Sequence, residues 1–161
     1  MYLTPFGALF PEQARAETRS MTVSAFPGLP VGDYGFIEAY CVDPRCDCRR
    51  VMLNVAGRTQ NRMLAAISFG FDRADEMAGP FLDPLNEQSE YAPALLDLAA
   101  DVILADPAYV ARLEAHYRMV KEAAADPRHP AQVVLKLLAT ADAPKPKQRT
   151  QGKSRTRPRR R

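Results

Sequence analysis

The sequence predicts an α+β protein: a small antiparallel sheet from residues 20–71, about three helices packed on it, and a disordered C-terminal tail. Three observations predict this. Between 20 and 71, short runs of apolar and polar residues alternate between turn-forming clusters, as strands do. From 89 to 140, apolar residues recur every three or four positions, as on a helix face. From Pro144 to Arg161 there are nine Lys or Arg, no Asp or Glu and no apolar residue, a composition that cannot build a core.

The elements follow in order. Residues 12–19 contain good helix formers and predict a short helix, with Leu3, Phe6, Leu9 and Phe10 docking on the body. Ser20–Phe26 is a strand, and Pro27–Asp33 is a connector dense in turn residues. Tyr34–Cys41 is a stronger strand. Period two places Tyr34, Phe36, Glu38 and Tyr40 on one face and Gly35, Ile37, Ala39 and Cys41 on the other. Val51–Val55 and Met63–Phe71 complete a meander, and residues 72–88 are loop. Ser89 caps a helix to about Ala105, with Leu95, Ala99, Val102 and Ile103 inward and Leu96 and Leu98 widening the stripe. Asp106-Pro107 is a cap and first-turn pair for a helix to about Ala125, whose stripe is Tyr109, Leu113, His116 and Val120. Pro130 starts the last helix, to about Thr140, with Val133, Val134, Leu137 and Leu138 inward. One α+β domain is therefore expected over 1–143 and a basic tail over 144–161.

Charge and composition exclude several classes. The net charge of +3 divides into −6 over residues 1–143, from 13 basic and 19 acidic side chains, and +9 in the tail, so the body is not a basic domain. No window approaches the roughly 18 uninterrupted apolar residues of a membrane span. The absence of a basic, apolar leader and the odd count of three cysteines point to a cytoplasmic chain. There is no phosphate-binding glycine loop, dinucleotide fingerprint, Gly-x-Ser-x-Gly elbow or His-Glu-x-x-His. The expectation leans away from an enzyme. Acid–base chemistry would fall to carboxylates such as Glu38, Asp72, Asp75 and Glu76, and Glu38 is expected on a solvent face; were it buried, Arg50 or Arg62 would be its partner.

All three cysteines lie in Tyr40-Cys-Val-Asp-Pro-Arg-Cys-Asp-Cys-Arg-Arg50. Three thiolates within eight residues suit a soft metal, zinc first. Pro44, with Asp43 and Asp47, bends the chain so that Cys41, Cys46 and Cys48 converge, and Arg45, Arg49 and Arg50 favour thiolates. A closed site needs a fourth ligand. His116, on the apolar helix stripe, is the expected one; Asp43, Asp47 and water are rivals, while His129 sits in a surface turn. The cluster also admits a redox thiol role, with a Cys46–Cys48 or Cys41–Cys46 disulfide, a metal-dependent enzyme, a copper or other metal carrier, or plain apolar filling. The leading expectation is a non-enzymatic interaction protein with a structural zinc site. Its tail Lys145–Arg161 would contact nucleic acid nonspecifically, or an anionic membrane, and would not stack on bases because it has no aromatic.

Residues Tyr40 to Arg50 resemble a signature of uncharacterised bacterial proteins, in which Tyr-Cys, a short acidic-Pro link and Cys-Asp-Cys-Arg-Arg join two strands. Phe10-Pro11-Glu12 and His116-Tyr117 extend the resemblance over most of residues 1–125. It implies a bacterial, metal-binding domain and supplies no activity. The Cys-x-Cys pair is loosely similar to the metal-binding motif at the end of some SecA proteins. That motif places its other ligands after the pair, whereas here Cys41 precedes it.

Overall fold

The computed structural model describes residues 3–141; the basic tail lies outside them. The observed class is α+β, a six-stranded antiparallel sheet with helices against one face. The central strands are β3 (Gly32–Cys41), β4 (Arg50–Gly57) and β5 (Arg62–Gly70), joined as the predicted meander. Their helix-side residues include Tyr34, Phe36 and Tyr40 of β3, Val51, Leu53 and Val55 of β4, and Ala65 and Ile67 of β5, all in the main core. A smaller cluster of Ala39, Met52 and Ala66 lies on the opposite face.

A bulge at Val55/Ala56 breaks the expected alternation of β5. Leu64 and Ala65, neighbours in sequence, both turn into the core, and Met63 is left exposed.

The outer edge of β3 is shared by two short strands. β1 (Leu3–Pro5) pairs with Ala39–Cys41, and β2 (Arg19–Val23) pairs with Gly32–Phe36. Between them the chain leaves the edge as α1 (Phe6–Leu9) and α2 (Pro11–Glu17). Phe6 and Leu9 dock in the core as expected, but Leu3 stays partly exposed. A three-residue strand is too short to carry a pattern, so β1 is not legible in the sequence.

The 72–88 segment is not all loop: Gly79–Leu82 forms β6 on the edge of β5. Pro80 is compatible with that position because an edge strand has no second partner to satisfy. The expected helix from Ser89 is shorter, α3 (Ala92–Leu98), and continues as a π-helical turn over Ala99–Ile103, closed by Leu104 N to Ala99 O at 2.8 Å. The widened turn keeps Ala99 and Ile103 buried and swings Val102 outward, against expectation.

α4 (Pro107–Ala125) has the predicted bounds. Asp106 Oδ1 accepts the Ala108 N–H at 3.0 Å, Pro107 occupies the first turn, and Tyr109, Leu113, His116 and Val120 are buried. α5 (Gln132–Ala141) corrects another expectation. It packs against α1 and α4 with Val134 and Leu135 half-buried, while Val133, Leu137 and Leu138, expected inward, are exposed.

Candidate metal centre

Cys41 is the last residue of β3 and is buried; Cys46 and Cys48 lie in the loop to β4 and are half-buried. The loop is bent as its sequence demands. Cys46 N–H donates to Asp43 O at 3.1 Å, closing a turn with Pro44 at its second position. Asp43 Oδ1 accepts the Arg45 N–H at 2.9 Å, so the aspartate side chain supports the same turn. At the far end Arg49 takes a left-handed conformation (φ 43°), uncommon for a side chain of its size. There its N–H meets the Tyr117 hydroxyl at 3.3 Å and its carbonyl accepts from Phe71 N at 2.8 Å.

The result is convergence. The sulfurs of Cys41, Cys46 and Cys48 all lie within 4.8 Å of one another. Three thiolates on a tetrahedral zinc with Zn–S near 2.3 Å would sit roughly 3.8 Å apart. A small inward adjustment of loop side chains therefore brings them onto one ion, and the donor set fits a soft metal.

Without a cation the Cys48 thiol resists ionisation. Burial, then the neighbouring Cys41 and Cys46, push the Cys48 thiol up to about 12, with Lys121 acting the other way. An activated nucleophile needs the reverse. α4 supplies a positive charge beside the loop: Lys121 Nζ donates to Asp43 O at 2.7 Å and lies 5.7 Å from the Tyr117 ring centroid. Lys121 and Tyr117 thus clamp the cysteine loop to α4. Their signal in the sequence is only an i, i+4 pair at the edge of the helix stripe.

His116 does not join the cysteines, contrary to expectation. Its Nδ1 is 2.6 Å from Glu38 Oε2 and its Nε2 is 2.8 Å from Glu17 Oε2, so both ring nitrogens are engaged. Phe6 stacks on the imidazole at 4.0 Å between centroids. The rival donors are also occupied. Asp43 serves its own turn and Arg45, while Asp47 pairs with Arg49 at 3.2 Å. His129 Nδ1 accepts from Ala131 N at 3.1 Å in the turn before α5. Among the described residues, no fourth His, Cys, Asp or Glu stands with the three sulfurs.

The buried-face alternative for Glu38 is the one realised, with different partners from those expected. Glu38 is 4% exposed, accepts from Tyr40 Oη at 2.7 Å and faces His116 Nδ1 at 2.6 Å. Arg50 bonds Ser68 and the Met77 carbonyl instead, and Arg62 pairs with Glu90. Burial and the Glu38 charge raise the Tyr40 phenol, so it remains a donor. No protein family model, curated protein or solved structure matches the chain.

Proposed function

We propose that this chain is a non-enzymatic metal-binding protein in which Cys41, Cys46 and Cys48 hold one zinc ion as a structural clip. The clip ties the end of β3 to the loop that enters β4. The observation that supports this is the convergence of the three sulfurs within 4.8 Å of one another. Two of them sit on a loop that has few backbone hydrogen bonds of its own. Such a segment gains most from a metal, because binding energy becomes folding energy. Water is the natural fourth donor, since His116, Asp43 and Asp47 are held elsewhere. An interaction role follows from the tail, whose nine cations suit a polyanionic partner, nucleic acid or an anionic membrane surface; composition is its support.

Elemental analysis of the purified full chain tests the metal reading. One zinc per chain, with three thiols that alkylate only after chelator is added, is the expected result. No metal, with three freely titrating thiols, overturns it. A carrier of copper(I) is the second reading, favoured by the half-exposure of Cys46 and Cys48 and by the all-sulfur donor set. It predicts a metal that exchanges readily and whose removal leaves thermal stability unchanged. A redox or metal-dependent enzyme predicts fast alkylation of Cys46 or Cys48 in the native protein.

A further inference from the structure

We propose that the exposed face of α5 docks on the surface of an anionic lipid bilayer, with the helix lying flat against the headgroups. The inference is independent of the metal reading. α5 is the one α-helix of eight or more described residues with no fully buried side chain. It turns Val133 (66% exposed), Leu137 (64%) and Leu138 (39%) toward solvent, with exposed Lys136 beside them. The surface continues past the helix into a groove of about 450 Å³, mostly apolar, between Leu3, Pro5 and Val42 on one side and Leu135, Leu138 and Ala139 on the other, with Thr4 and the Asp43–Arg45 pair also in its wall.

Charge identifies the occupant. Four residues beyond the last residue of α5 begins a run of nine Lys or Arg without one acidic side chain, whereas residues 1–143 carry −6. An anionic surface repels the body and attracts the end that follows α5, which turns the exposed Val133, Leu137 and Leu138 toward the acyl boundary. A single shallow apolar patch or a single polybasic run holds a bilayer weakly, and the two together form a stable anchor. Nucleic acid would use the cations but offers nothing to exposed valine and leucine, and the tail brings no aromatic ring for bases.

The test is co-sedimentation of the full chain with vesicles of phosphatidylcholine alone or with about one-third phosphatidylserine, at low and high salt. The comparison is a Val133→Ser/Leu137→Ser variant whose thermal midpoint is checked first; both positions are exposed, so the fold should be unaffected. Expected is binding to the anionic vesicles only, weakened by salt, and at least about tenfold weaker in the variant, since two buried aliphatic side chains are lost. Failure to bind anionic vesicles overturns the proposal. Equal binding by the variant overturns it too, because the tail then acts alone. Binding of duplex DNA with none to vesicles assigns the tail to nucleic acid and also overturns it. So does a dimer in solution that the variant abolishes, which places a second copy on this face.

Discussion

Glu38 Oε2 lies 2.6 Å from His116 Nδ1, beneath the α1–α2 excursion and shielded from solvent. Glu17 Oε2 lies 2.8 Å from the other ring nitrogen. A neutral imidazole has one N–H, so two carboxylates at these distances call for an imidazolium or a protonated acid. Both the glutamate and the aromatic stack come from the excursion, at its two ends: Phe6 follows β1 directly, and Glu17 closes α2. The imidazole is therefore the anchor that holds residues 6–18 on the body.

The anchor is pH-dependent. Burial lowers the His116 pKa, but hydrogen bonds and charges from Glu38 and Glu17 outweigh it and leave it above its usual 6.5. A raised folded-state pKa contributes stability that is full below 6.5 and is lost as pH rises through the folded value. Burial raises the phenol of Tyr109, on the same helix, so it does not titrate in that window. The expected outcome is a thermal-midpoint advantage of wild type over His116→Gln that shrinks from neutral to alkaline pH. Hydrogen exchange at residues 6–18 should accelerate in parallel. An advantage independent of pH up to 9 would sink this reading.

His116→Ala separates the metal from the core. Removing the imidazole leaves Glu38 buried with only Tyr40, which costs about 3 kcal/mol. Metal content should stay unchanged, because the cysteines converge without it. Loss of metal in a variant that remains folded would restore His116 as a ligand.

Chelation should lower stability. A ligand present at about a thousand times its dissociation constant contributes about 4 kcal/mol, which for a chain of this length is roughly 8–16 °C of thermal midpoint. Cys41→Ser, Cys46→Ser and Cys48→Ser should each abolish the chelator effect. Calorimetry with and without chelator measures both.

Lys121→Met should weaken metal affinity by about tenfold while leaving stoichiometry intact. Its ammonium holds the Asp43 carbonyl at 2.7 Å and favours the charged form of Cys48. Competition with a calibrated zinc chelator gives the number; an unchanged affinity would show that Lys121 only packs.

Phe6→Ala should cost about 3–5 kcal/mol, since the ring is 2% exposed and stacks on His116. Denaturant melts report the loss, and fast exchange confined to residues 6–18 would locate it.

The local devices were legible in the sequence. Asp106-Pro107 caps α4 at the predicted residue, the stripe of Tyr109, Leu113, His116 and Val120 faces the core, and Asp43-Pro44 bends the loop that gathers the cysteines. Each depends on residues within one or two turns of each other, where periodicity and turn chemistry act directly. Tertiary structure decided the rest. Glu38 and His116 are 78 positions apart, and nothing local says which acid will meet the histidine or that both nitrogens will be taken. The bulge that turns in Leu64, the π turn that turns out Val102, and the edge strands β1 and β6 answer to neighbours that pattern alone does not place. The apolar face of α5 marks the same divide: its sequence specifies an amphipathic helix, but only packing decides which side finds a partner within the chain.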